Sequence, residues 1–320
     1  MHPIRLAVLA LLLLLCSRAP AQVSDDGADC TDATLAAAEA ELARLALTMY
    51  TDSSDQARFD ACRDLISGLV WVLRRENSFA YPFGEVRGLS IQYPADSSFR
   101  IFSWELHVNR DEYRHYGAVQ MNTPELQLFP LIDRGFALRE NPENVTLTGD
   151  NWLGYAVYGI RAGGTHRGRP YWFLFGYDSD SAYRQKKVLD VLAFGPDGKP
   201  VFGLPVFDTY TPQGQPLPDR RRLILEYGAE ATAALRYDPD LGAIVYENLV
   251  LGPGPNGEGP VAMPDGSYHA LLPDGQGRWR ERDRVFEGIL TEPPREAPLP
   301  KDDRDILGRA RTQEPGRGNN

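Results

Sequence analysis

Trp152-Leu153-Gly154-Tyr155-Ala156-Val157-Tyr158-Gly159-Ile160, Pro170-Tyr171-Trp172-Phe173-Leu174-Phe175-Gly176-Tyr177 and Val188-Leu189-Asp190-Val191-Leu192-Ala193-Phe194 are three strand-like runs in one stretch of the chain. Side chains of a strand alternate between its two faces. Counted by twos, Trp152, Ala156, Tyr158 and Ile160 share one face of the first run, and Leu153, Tyr155 and Val157 share the other. The second run sets Tyr171, Phe173, Phe175 and Tyr177 against Trp172 and Leu174. Strands apolar on both faces are covered on both faces, so these runs are expected at the centre of a sheet. Links are expected at Gly163-Gly164-Thr165 and over residues 178–187. A turn at Pro196-Asp197-Gly198 then returns the chain along residues 201–207.

Upstream, Phe83-Gly84 and Tyr93-Pro94 break the chain, and residues 99–108 and 113–121 read as a hairpin around Asn109-Arg110-Asp111. Residues 122–151, with Pro124, Pro130 and Pro142, hold no long element. Downstream, strands are predicted at 222–227, 233–237 and 243–248, with a turn at Asp238-Pro239-Asp240. After the Gly/Pro-rich residues 252–260 comes a last hairpin, 267–272 and 278–282, about Pro273-Asp274-Gly275. The runs share no motif at a fixed period, which argues against a propeller.

The N-terminal part has helical periodicity instead. Leu35, Ala38, Leu42, Leu45 and Met49 mark a helix over residues 32–50. Ser53-Ser54-Asp55 caps a second, whose stripe is Phe59, Cys62, Ile66, Leu69 and Leu73. Trp71 and Val72 lie off that stripe and predict a second contact surface. The expected class is α+β, mainly an antiparallel β-meander (curled sheet, sandwich or barrel) with an N-terminal pair of amphipathic helices.

Residues 1–21 carry Arg5, an apolar run from Leu6 to Cys16 and Ala19-Pro20-Ala21, the pattern of a secretory signal peptide. The run is too short for a membrane span, which needs about 20 apolar residues. Lipidation of Cys16 is disfavoured by the leucines before it. The expected organisation is therefore a signal peptide at 1–21, a helical segment at 22–80 and an antiparallel β domain at 81–288. A flexible polar tail at 289–320 has too little apolar content to order itself. The expected destination is export, periplasmic or extracellular. Cleavage removes Arg5 and Arg18 from 34 basic residues, leaving 32 against 44 acidic ones and a formal charge of −12. That balance argues against nucleic acid or an anionic membrane as partner. Cys30 and Cys62, the two cysteines that remain, are an expected disulfide in an oxidising compartment, stabilising by roughly 3–4 kcal/mol. A plain helix hairpin would hold Cys62 about two turns from the start of the first helix, so the bridge requires a fold-back or crossed helices.

Chemistry has few handles. His107, His115, His166 and His269 form no metal-ligand spacing, although His107 and His115 straddle the first hairpin turn with Glu105 nearby. Asp178-Ser179-Asp180-Ser181 is half a calcium loop without its glycine and closing glutamate. There is no nucleophile elbow, and Gly252 to Gly259 is no phosphate cradle. No metal or cofactor is expected. Asp190, inside an apolar run, demands a buried partner; as a catalytic carboxylate it would need Glu105 or Glu226 beside it. Trp104, Trp152, Trp172 and Tyr177 could form a ligand platform, but aromatic side chains at strand spacing more often fill cores.

Trp152 to Tyr158, Phe175-Gly176-Tyr177-Asp178, Lys186 to Leu192, Gly198-Lys199-Pro200-Val201-Phe202-Gly203, Leu235-Arg236-Tyr237-Asp238 and Pro264-Asp265-Gly266-Ser267-Tyr268 resemble a family of uncharacterised secreted bacterial proteins. The resemblance implies export and a β-rich body but no activity or catalytic residue. The expected function is a non-catalytic binding or envelope-associated module, with a glycan or envelope component as possible partner. A carboxylate hydrolase of envelope or extracellular polymers and a barrel-type small-ligand carrier are the alternatives.

Overall fold

The computed structural model describes residues 26–109, 111–138, 142–211, 214–217, 220–254 and 259–283, with side chains from Thr34 onward. The signal peptide and the polar tail read from the sequence lie outside these residues. Two helices lead, α1 (Asp26–Thr51) and α2 (Asp55–Leu73), the second capped by Ser54, whose side chain accepts the Ala57 N–H. An N-terminal antiparallel sheet follows: β1 (Ser90–Gln92), β2 (Phe99–Asn109), β3 (Glu112–Met121) and β4 (Leu128–Ile132). The central sheet holds β5 (Leu147–Thr148), β6 (Ala156–His166), β7 (Arg169–Asp178), β8 (Arg184–Phe194) and β9 (Pro200–Phe202). The chain then leaves it for β10 (Phe207–Tyr210) and β11 (Pro216–Leu217), and returns as β12 (Leu223–Gly228). It ends in β13 (Leu235–Asp238), β14 (Ala243–Pro253), β15 (Pro260–Pro273) and β16 (Trp279–Arg282). With β10 and β11 these make a C-terminal sheet ordered β11-β10-β16-β15-β14-β13.

The layers follow from which faces are apolar. Helix residues Leu35, Leu42, Leu65 and Val72 pack on Phe102, Trp104 and Leu106 of β2. The opposite face of that sheet, through Phe99, Ile101 and Val119, meets Leu174, Val188 and Leu192 of the central sheet. The other central face, with Tyr171, Phe173, Leu189 and Val191, meets Ile244, Tyr246, Leu271 and Trp279 of the C-terminal sheet. So β7 and β8 are covered on both faces, as their two-sided apolar runs require. Four layers stack: helices and three sheets. The result is an α+β, mainly antiparallel body, and no closed barrel forms among the described residues. Among them, no helix is long and apolar enough to cross a membrane. The second surface predicted for α2 exists, since Leu65 and Val72 are buried, but Trp71 is half exposed under the Arg75 guanidinium.

Three local expectations are corrected. Gly163-Gly164-Thr165 is no link: β6 runs on to His166, and the turn is Arg167-Gly168, both at positive φ. Gly163 lies flat against the ring of Tyr171, where a Cβ would come within 2.1 Å. The face assignment in the first run also breaks, because a bulge between Val157 and Gly159 turns Ile160 to the Val157 side while Tyr158 is partly exposed. Finally, residues 201–207 are not one strand. Gly203, at positive φ, and Pro205 end β9, and Phe207 pairs in parallel with Trp279 in the next sheet.

Cys62 is a buried free thiol, pushed up in pKa by burial and set against Trp104 and Tyr116. The side chain of Cys30, its expected bridge partner, lies outside the described residues.

Candidate functional site

Three polar constellations stand out, and only one is open. The first is at Asp190. The edge of β8 is shared: residues 184–189 pair with β12, and 192–194 pair with β9. Asp190 sits at the fork. Its Oδ2 lies 3.1 Å from Arg222 Nε and accepts a 3.2 Å hydrogen bond from the Tyr155 hydroxyl; its Oδ1 accepts the Val191 N–H. Arg222 donates onward to the carbonyls of Pro142 and Val145. Both charged side chains are fully buried, so neither reaches solvent or substrate. Burial, reinforced by the Asp190 charge, pushes the Tyr155 phenol far up. This is a structural plug, the partner that a charge inside an apolar run requires.

The second constellation joins the N-terminal and central sheets. Register sets His115 opposite Glu105, and His107 opposite Tyr113, so the two hairpin histidines do not meet. His115 Nε2 lies 3.0 Å from Glu105 Oε1 and 3.5 Å from Asp178 Oδ1; Nδ1 is 3.4 Å from Asp133 Oδ2. Burial pushes the imidazole down, but the hydrogen bonds to Asp133 and Glu105 and the carboxylate charges win, holding it at about 10. Burial raises Glu105 and Asp133 too, yet His115 outweighs it and both end lowered. Asp178 ends raised, because its burial exceeds the pull of His115 and Lys186. Ser179 donates its N–H and hydroxyl to Glu105, and Lys186 Nζ lies 2.5 Å from Asp180 and 3.7 Å from Asp178. Glu105, His115 and Asp178 converge closely enough for a cation. A proton on His115 and the Lys186 ammonium already supply the positive charge there.

The third constellation is a cleft of about 530 Å³ between β12 of the central sheet and β10, β14, β15 and β16 of the C-terminal sheet. Leu223, Ile224, Leu225 and Leu249 give it an apolar wall, Tyr210 adds an exposed ring, and the buried Tyr246 lies at its edge. Polar groups come from Asn248, Asp265, His269, Glu281 and Asp283, and from Arg220, which is paired with Glu143 at 2.8 Å. His269 stacks on Tyr246, with ring centroids 5.4 Å apart. Glu281 accepts the Tyr246 hydroxyl and, at 2.9 Å, the Tyr210 N–H. The donor atoms of His269, Glu281 and Asp283 all lie within 4.8 Å of one another. The volume lies in the range of small-molecule sites, and polar side chains outnumber the apolar ones in its lining.

The residues singled out by sequence scatter around this cleft. Asp190 is sealed, Glu105 belongs to the His115 network, and Glu226 pairs with Arg184 at 3.0 Å on the surface. No two of these carboxylates share a site. Trp104 stacks on Tyr116, Trp152 is fully buried, Trp172 packs against Phe99 and Phe194, and Tyr177 lies under the Lys187 ammonium; none of the four lines the cleft. The cleft residues escaped because they come from strands far apart in sequence. Their one local trace is the odd-numbered face of residues 265–269 and 281–283, with Asp, Ser and His alternating with other residues. No protein-family model matches the chain, and neither does any curated protein or solved structure.

Proposed function

We propose that the protein is an exported, non-catalytic binding module that holds a hydroxyl-rich, saccharide-type ligand in the cleft between its central and C-terminal sheets. The observation that carries this is the cleft itself: about 530 Å³, an apolar wall, the exposed ring of Tyr210 and several side-chain acceptors within one concavity. Aromatic faces suit the apolar side of a sugar ring, and carboxylate and amide oxygens accept its hydroxyls. Export is supported by the signal-peptide pattern of residues 1–21. A hydrolase reading has one observation in its favour, the convergence of Glu281 and Asp283 in an open site.

Titrating the purified chain with panels of envelope-derived and plant saccharides, followed by calorimetry and thermal shift, tests the proposal. At least one class is expected to bind and to raise the melting temperature, and Tyr210→Ala, which removes a partly exposed face of the cleft, should weaken it about tenfold or more. Binding that ignores this substitution, or no binding by any class, overturns the proposal. Chromatography of the same mixtures reads out cleavage, and turnover lost in Asp283→Asn would install the hydrolase instead.

A further inference from the structure

The cleft has a donor set whose orientation is fixed from behind. Asn248 Nδ2 donates to Asp265 Oδ2 at 2.8 Å, which settles which end of the amide is nitrogen. Its Oδ1 therefore faces His269 Nε2, 3.2 Å away, and accepts the hydrogen bond of that ring N–H. In the neutral ring that leaves Nδ1 with its lone pair exposed to whatever lies in front. In front are Glu281 Oε1 at 3.7 Å and Asp283 Oδ1 at 3.0 Å, both acceptors. Nδ1 is buried and makes no hydrogen bond of acceptable geometry to either one. An imidazole nitrogen and two carboxylates thus converge within 4.8 Å of one another, with Glu281 held in place by the Tyr246 hydroxyl and the Tyr210 N–H. A carboxylate-bearing chain behind a histidine, with the opposite ring nitrogen turned toward two carboxylates, is the arrangement by which metal-ligating histidines are held.

We propose that His269, Glu281 and Asp283 bind a first-row divalent cation of the zinc class, with the ligand of the cleft completing its coordination. One imidazole and two carboxylates suit such an ion better than magnesium or calcium, which favour oxygen throughout. Three protein ligands leave a fourth position free, and the cleft opens onto it. The Glu105 cluster lacks this feature, because its imidazole faces carboxylates on both nitrogens and an ammonium stands beside them. The inference rests on the cleft reading but can fail separately from it.

Titration of the untagged, chelator-treated full chain with zinc chloride alone, by calorimetry, is the test. One equivalent is expected to bind. Asp283→Asn, at a largely exposed position where folding is not at risk, and His269→Ala should each abolish tight binding. Asn248→Ala, which touches no metal, should weaken it by roughly 10–100-fold, as loss of an outer partner does. No binding, or binding indifferent to Asp283→Asn, overturns the proposal. Binding abolished by His115→Gln instead would move the site to the other cluster and overturn it equally. Saccharide affinity measured in chelator separates the two readings: full affinity without metal leaves the binding module standing and removes the ion from it.

Discussion

At the scale of single residues, Asp190 shows what a charge inside an apolar strand commits the fold to. Removing one member of a buried pair strands the other: Asp190→Ala leaves the Arg222 guanidinium in a dry site and should cost about 3–5 kcal/mol in urea unfolding. Replacing both at once, Asp190→Leu with Arg222→Met, should recover most of that loss, since an apolar plug of similar volume is often neutral or better. A single variant within measurement error of wild type would mean that water reaches the fork. The requirement for a partner was legible in the sequence, because Val188, Leu189, Val191 and Leu192 surround the aspartate. Its identity was not. Lys186, Lys187 and Arg184 are nearer along the chain but lie toward the strand's polar end, where Lys186 and Arg184 pair with Asp180 and Glu226. Arg222 arrives only because β12 docks on β8. Gly203 next to it is required for the same reason: at positive φ, a Cβ there would fall 2.5 Å from Arg222 Nη2.

Elements were easier to read than their connections. Period-2 and helical patterns located both helices and most long strands, because burial of one face or both is written locally. Bulges were not, because an extra residue leaves the composition unchanged while turning everything beyond it to the opposite face. In β6 the shift at Val157/Gly159 moved Ile160 across the sheet, and the strand runs on through a second one at Ala162/Gly164, where the sequence looked like a glycine link. Gly163 tests this directly. Its substitution by alanine drives a methyl into the Tyr171 ring and should destabilise by roughly 1–3 kcal/mol, the usual cost of overpacking. Were the segment a loop, as its sequence suggests, thermal melting of Gly163→Ala would be unchanged.

For the molecule as a whole, the stacking of three sheets makes the contacts between layers decisive, and the His115 network is the most pH-sensitive of them. Its imidazole stands at about 10 in the fold against 6.5 unfolded, so its contribution is complete below about pH 6.5 and is lost as the pH climbs through 10. Glu105 and Asp133, held below 4.5 and 3.8, contribute above those values and lose that contribution on acidification. Asp178, raised by burial, works the opposite way and relieves part of the acid loss. Stability should therefore be greatest near pH 5–6.5 and fall by a few kcal/mol on the way to pH 10. His115→Gln should be weaker at pH 6 and nearly flat across the alkaline range. A wild-type curve that runs parallel to the variant from pH 6 to 10 would place the proton elsewhere. The sequence put Glu105 near His115 in the first hairpin, and the register sets them opposite each other; Asp133 and Asp178, from a loop and a distant strand, could not be seen there.

The parallel pairing of β10 with β16 has a further consequence. Phe207 and Asp208 cannot be covered until Trp279 and Arg280 exist beside them, and Trp279 also closes over Phe173. During synthesis, then, Phe207 and the side of Phe173 that meets the indole stay uncovered until Trp279 has emerged. Glu281 belongs to the same late strand, so one wall of the cleft between the central and C-terminal sheets is added in the step that covers Phe207. The cleft is therefore walled on all sides only once that final strand has paired.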